Sequence, residues 1–161
     1  MTVIGFTGHR PNRLGVQSPN LYANLQALAR DYLQGANPSK IISGFAPGWD
    51  LAVARVAIDL GVPLIAAIPF KGYESRLSPF YKQEFTELLA HAVEVNYSAD
   101  PGYDPKKMLR RNRWIVVKSD SICALYSGAP SGTGHCVRYA QSLGKPVENL
   151  WDSWKSLYME Q

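Results

Sequence analysis

Three short segments concentrate the residues capable of holding a charged small molecule. They are Thr7-Gly8-His9-Arg10-Pro11, Ser43-Gly44-Phe45-Ala46-Pro47-Gly48-Trp49-Asp50 and Ser127-Gly128-Ala129-Pro130-Ser131-Gly132-Thr133-Gly134. Glycine lets backbone N–H groups come close to a ligand, and a helix N-terminus favours an anion. Ser131, Gly132 and Thr133 are the best phosphate candidates, because small residues opening a helix present N–H and hydroxyl donors together. The structural alternative there is an ordinary turn with Thr133 as a cap. His9 and Arg10 stand where a phosphate or a base would be met. Their structural alternative is Arg10 paired with an acid and His9 capping a turn. Asp50 can cap a helix, accept hydrogen bonds from a ribose or base, or do both. Trp49 is read as core filling ahead of base stacking.

Several other chemistries find no residues. No loop carries the Gly-x-Gly-x-x-Gly dinucleotide fingerprint, and no Walker lysine follows any glycine segment. His9, His91 and His135 lack metal-ligand spacing, so no metal is expected. A Gly-x-Ser-x-Gly elbow is missing from the sequence. The candidate carboxylates are Asp50, Glu74, Glu84 and Asp120, of which Asp120 is read as ordering the start of a strand. Cys123 and Cys136 form no disulfide framework or Cys-x-x-Cys pair and are read as packing residues.

These segments must be positioned by regular elements. Apolar runs predict strands over 3–7, 40–43, 63–68, 92–96, 121–126 and 146–149. Helical spacing predicts helices over 19–33, 50–60, 79–90, 105–118 and 133–143. Gly35-Ala36-Asn37-Pro38 is expected to break the first helix, and Pro69 to end the third strand. The alternation predicts an α/β fold: a Rossmann-like, doubly wound, mostly parallel sheet with helices on both faces. All three glycine segments then open at one carboxyl edge of the sheet, where such folds bind ligands. Residues 1–161 read as one domain, and the aromatic tail over 150–161 is expected to pack on the domain's own core.

With 161 residues, 46% of them hydrophobic, the chain can bury a core. It has no apolar stretch of membrane-spanning length and starts without a basic leader, so a cytoplasmic protein with no membrane partner is expected. The net charge of +4 permits nucleic acid without requiring it. Positive charge gathers in Lys106-Lys107-Met108-Leu109-Arg110-Arg111-Asn112-Arg113. That run reads either as a solvated helix face or as a phosphate-attracting rim beside the glycine segments.

Taken in order, the motifs resemble the SLOG superfamily, with the YspA/YpsA-like branch nearest. They are Thr7-Gly8-His9-Arg10-Pro11, Ser43-Gly44 followed by Gly48-Trp49-Asp50-Leu51-Ala52, Arg111-Asn112-Arg113 before Ser119-Asp120, and Gly132-Thr133 followed by Tyr139-Ala140. The superfamily includes the cytokinin-activating LOG phosphoribohydrolases and the DNA-processing protein DprA. The resemblance implies a Rossmann-like fold that binds nucleotides or nucleotide-derived ligands, with roles such as signal-nucleotide sensing in bacterial and phage conflict systems. It implies a site lined by Gly8, Arg10, Ser43, Gly44, Asp50, Asn112, Gly132 and Thr133, and a homodimer. His9, Gly48, Arg111 and Ser131 join these as ligand-binding candidates from their own positions. LOG enzymes carry Pro-Gly-Gly-x-Gly-Thr-x-x-Glu, and alignment on Gly132-Thr133 sets Cys136 in the glutamate's place. A thiol does not replace a carboxylate beside a cationic sugar. A hydrolase would need another acid, such as Asp50 or Glu84.

The leading expectation is therefore a sensor or sequestering protein for a nucleotide or an NAD/ADP-ribose-like molecule, with no other cofactor. The alternatives are an N-glycosidic-bond hydrolase acting on nucleoside monophosphates and a single-stranded DNA binder. For the latter, Tyr97, Tyr103 and Trp114 are available for stacking.

Overall fold

The computed structural model describes residues 2–159. Six strands form one sheet in the order β4-β3-β2-β1-β5-β6: β1 (Val3–Gly8), β2 (Lys40–Ser43), β3 (Leu64–Phe70), β4 (Glu94–Ala99), β5 (Ser121–Leu125) and β6 (Val147–Asn149). Every pairing is parallel. The intervening helices are α1 (Leu21–Ala36), α2 (Trp49–Leu60), α3 (Pro79–Leu89), α4 (Pro105–Lys118) and α5 (Gly132–Ser142); α6 (Trp151–Trp154) follows β6. The expected Rossmann-like α/β fold is the observed one.

Side-chain alternation along the strands divides the core into two layers. Ile4, Phe6, Ile41, Leu64, Ala66, Ile68, Cys123 and Leu125 pack with residues of α1, α2 and α3. Ile42, Ile65, Ala67 and Ile122 pack on the opposite face with Ile115 and Val116 of α4 and Cys136 and Ala140 of α5. Gly5 permits this second layer, because a Cβ there would overlap Ser119 Oγ at the end of α4. Successive strands step from β1 to β4 in one direction. The chain then crosses back through α4 to place β5 on the other side of β1. The connections leaving β1 and β5 diverge, and the crevice between them is the topological switch point where open parallel sheets bind ligands.

Some boundaries differ from the sequence expectation. Helix α1 runs through Gly35 and Ala36 and stops at Asn37, which adopts the left-handed conformation (φ 46°) and donates its N–H to Leu33 O. Asparagine serves there as the helix-ending residue that glycine commonly supplies. Pro69 lies within β3. The pairing with β2 ends at Ala66, so beyond it β3 is bonded only to β4, and a proline is tolerated on the open side. Strand β4 begins at Glu94 and extends to Ala99, later than the 92–96 expected.

The tail packs on the domain as expected over its described part; residues 160 and 161, like residue 1, lie outside the described residues. Trp154 is fully buried and donates its indole N–H to Leu14 O at 2.9 Å. This contact pins the segment after β1, including the 3-10 turn Pro11–Arg13.

Candidate functional site

A cavity of about 590 Å³ opens at the carboxyl edge of the sheet, over the switch point. Its wall draws on the connections after β1, β2, β3, β4 and β5. Gly8, His9, Arg10, Asp50, Arg111, Asn112, Ser131, Gly132 and Thr133 all line it. Ser43, Gly44 and Gly48 do not; they build the wall from behind. Ser43 is fully buried, donates its hydroxyl to Asp50 O at 2.8 Å and accepts the Phe45 N–H at 3.2 Å. Gly44 gives its carbonyl to Arg111 Nη1 at 2.5 Å, and a Cβ there would stand 2.7 Å from that nitrogen. Gly48 has φ 87° and lies against Pro11. Gly8 is required because a Cβ would overlap the Trp49 indole, which fills the core beneath it.

Helix α4 explains the split character of the basic run. Asp104 caps its start by accepting the Lys106 N–H at 2.9 Å, with Pro105 in the first turn. Lys106, Arg110 and Arg113 are exposed, whereas Arg111 and Asn112 are buried on the cavity side. Arg111 is fixed by three bonds: Nη1 to Gly44 O and Ala67 O, and Nε to Asn112 Oδ1 at 2.9 Å. Asn112 in turn donates to Gly132 O at 3.3 Å, tying α4 to the start of α5.

Four arginines line the cavity: Arg10, Arg13, Arg76 and Arg111. Among the described residues no carboxylate lies within salt-bridge distance of any of them; the ion pairs of the fold use Arg30 and Arg55. Arg10 donates to Tyr73 Oη at 3.2 Å and Arg13 to Pro130 O at 2.7 Å. The pairing of Arg10 with an acid, one of the sequence alternatives, is not what the structure contains. Across from these side chains, α5 begins at Gly132 with Ser131 as its cap, the Ser131 hydroxyl accepting the Gly134 N–H at 3.1 Å. The first N–H groups of a helix have no intrahelical acceptor, so those of Gly132 and Thr133 add to the positive potential.

Among the described residues Asp50 is the one carboxylate on the lining. Its Oδ2 accepts the Ala46 N–H at 3.3 Å, and its Oδ1 is buried without a partner. Burial raises its pKa from 3.8 to about 6, against the opposing pull of Arg111, the Ala46 bond and Arg10. The Asp50 carboxyl therefore changes protonation state close to neutral pH. Glu84 is elsewhere, bonded to Arg55 and Tyr22 between α1, α2 and α3. Glu74 is not on the lining. Asp120 accepts the Val3 N–H at 2.8 Å and orders the start of β5, as expected. Cys136 is fully buried and its thiol is pushed up to about 11 by that burial, so it packs and does not stand in for a glutamate.

His9 lines the cavity but is also a strut. Its Nε2 accepts the Ser127 N–H at 3.0 Å, which makes Nδ1 the protonated nitrogen and joins the ends of β1 and β5. Burial, with Arg13 nearby, lowers its pKa. Of the three aromatic residues considered for stacking, Tyr103 reaches the cavity and Tyr97 and Trp114 do not. Sequence reasoning missed Arg13 and Arg76. Neither sits in a motif, but every strand-to-helix connection of a parallel sheet opens at this edge, and that rule pointed to the turn Tyr73–Arg76 after β3.

Residues 18–158 match the family of DNA recombination-mediator protein A, and the chain belongs to that family. It is a member of the SLOG superfamily. It is 29% identical over 133 residues to the uncharacterized SPbeta prophage-derived protein YoqJ of Bacillus subtilis (strain 168), covering 73% of this chain and 78% of that protein. Among solved structures it is similar to DNA processing protein A of Helicobacter pylori, whose structure concerns single-stranded DNA binding (TM-score 0.66, 22% identity, 92% of this chain and 65% of that one). This chain thus spans less than two thirds of that protein. It is also similar to the molybdenum cofactor carrier protein of Chlamydomonas reinhardtii (TM-score 0.58, 16% identity, 98% of this chain and 85% of that one). At these identities the structural likenesses establish the shared fold.

Proposed function

We propose that this protein binds a nucleotide or nucleotide-derived small molecule in the switch-point cavity, as a sensor or sequestering protein. One observation carries the reading: Arg10, Arg13 and Arg111, none with a carboxylate in salt-bridge distance among the described residues, converge with the start of α5 on one cavity of about 590 Å³. Clustered cations repel one another and an anion among them relieves that repulsion; Arg10 and Arg13 are exposed to an entering ligand, and Arg111 is buried behind them. The volume is in the range of small-molecule sites, roughly 300–1,000 Å³. In this reading Gly132 and Thr133 N–H and the Ser131 and Thr133 hydroxyls receive the phosphoryl group, with Arg13 and Asn112 beside them. Arg10 and Arg111 supply further charge, and Asp50 faces the sugar. The carrier role named for the Chlamydomonas protein lends support to small-molecule holding on this fold.

Calorimetric titration with 5′-AMP and ADP-ribose tests the reading. Saturable binding at one site per chain, with the nucleotide recovered unchanged, is the expected result. A second reading, cleavage of the N-glycosidic bond, draws on Asp50, an acid near neutrality on the lining. It predicts free base in the same samples. Single-stranded DNA binding draws on the family and on the exposed Lys106, Arg110 and Arg113 of α4. It predicts oligonucleotide binding that weakens steeply with salt, and binding of that kind in place of nucleotide binding would overturn the small-molecule reading.

A further inference from the structure

The wall opposite α5 holds a planar pair that the phosphate site leaves unused. Arg76, from the turn after β3, stacks its guanidinium carbon 3.6 Å from the centroid of the Tyr103 ring, which belongs to the connection between β4 and α4. Both residues line the cavity. Tyr103 is 50% exposed, unusually open for a ring inside a site, with one edge against Phe70 (centroids 6.5 Å apart, planes at 77°). Its segment is nevertheless held firmly. The Lys107 ammonium donates to the carbonyls of Asp100, Pro101 and Gly102 at 2.8, 3.3 and 2.7 Å. An aromatic ring on a fixed segment with open surface, backed by a guanidinium that has no carboxylate in salt-bridge distance among the described residues, is a surface for stacking another flat group.

Spacing separates this pair from the phosphate end. In the order β4-β3-β2-β1-β5, three strand spacings lie between β5 and β3. At about 4.8 Å each this sets the ends of β5 and β3, from which the connections to Gly132 and Arg76 leave, roughly 14 Å apart. A phosphate or a pentose phosphate at α5 does not span that distance; a ligand ending in a heterocycle does, once the long Arg76 and Tyr103 side chains reach inward.

We propose that the Arg76–Tyr103 stack is the subsite that receives the flat heterocycle of the ligand, so that the cavity selects nucleotides over pentose phosphates. This rests on the nucleotide-binding reading above and adds where the base sits. Stacking tolerates different bases because each has a π-face.

The test is calorimetric titration of wild type, Tyr103→Ala and Tyr103→Phe with AMP, UMP and ribose 5-phosphate. Tyr103 is half-exposed, so the variants are expected to fold, and circular dichroism checks this. Wild type should bind both nucleotides more tightly than ribose 5-phosphate. Tyr103→Ala should lose on the order of tenfold to a hundredfold for the nucleotides and nothing for ribose 5-phosphate. Tyr103→Phe, which keeps the ring, should behave as wild type. Unchanged nucleotide affinity in Tyr103→Ala, or a parallel loss for ribose 5-phosphate, would overturn the base subsite while leaving the phosphate site standing. Failure of wild type to bind any of the three would overturn both.

Discussion

Replacing Asp50 with asparagine should make the protein more stable at pH 8. Asp50 is buried, its Oδ1 has no partner, and its pKa is raised from 3.8 to about 6. The sign follows from that direction. The folded state holds the proton more tightly than the unfolded chain, so the associated stability is complete below the unfolded value and is lost as pH rises through about 6. One pKa unit corresponds to about 1.4 kcal/mol. The ionised carboxyl therefore costs the folded protein about 3 kcal/mol at pH 8, on the order-of-magnitude scale of that relation. Asparagine keeps an oxygen for the Ala46 N–H and carries no charge. Urea unfolding followed by tryptophan fluorescence at pH 4.5 and pH 8 measures the difference. Asp50→Asn should exceed wild type by about 1 kcal/mol at the lower pH, already above the unfolded value, and by about 3 kcal/mol at the higher. Equal stabilities at both pH values, or a less stable variant at pH 8, would refute the reasoning. Either result would mean that the nearby Arg111 charge offsets the burial of the carboxylate in full.

Two further perturbations address how the scaffold holds the site. Trp154→Ala removes a fully buried indole and its bond to Leu14 O, and should cost about 3–5 kcal/mol in urea unfolding. A loss under 1 kcal/mol would show that the tail does not anchor the segment after β1. Lys145→Met removes an ammonium bonded to Val116 O, Val117 O and Ser119 O at the end of α4, and should cost about 2 kcal/mol. An unchanged urea midpoint would show that α4 needs no such clamp.

Much of this molecule was legible in its sequence because parallel strands, buried on both faces, read as short apolar runs between helical segments. The boundaries of α4 were read without error, since Pro105 and the polar residues before it mark its start and Ser119-Asp120 its end. Pro69 misled because whether a proline ends a strand depends on which neighbour is still paired at that level, and that is a tertiary fact. Gly35 misled because the last turn of α1 is held by burial of Leu33, not by local preference. At the site, a glycine segment announced a ligand-facing loop without saying which of its residues face the ligand. Gly132 lies on the cavity, whereas Gly44 exists to let Arg111 approach. Arg76 carries no local signature, and the sequence offers Tyr103 for stacking without its partner. Their stack joins two connections 27 residues apart in sequence, and only the fold brings them together.

The most direct measurement is native mass spectrometry of wild type and Gly132→Asp, each mixed with a panel of nucleoside monophosphates, ADP-ribose and NAD. Beyond Gly132 a Cβ meets nothing closer than Asn112 Nδ2 at 3.9 Å, so the variant has room to fold while placing a carboxylate where the phosphoryl group belongs. Wild type should carry one nucleotide per chain and Gly132→Asp none, with matching circular dichroism spectra. A folded Gly132→Asp that retains the same nucleotide would contradict the phosphate site, and a wild type that retains no member of the panel would contradict the proposed function.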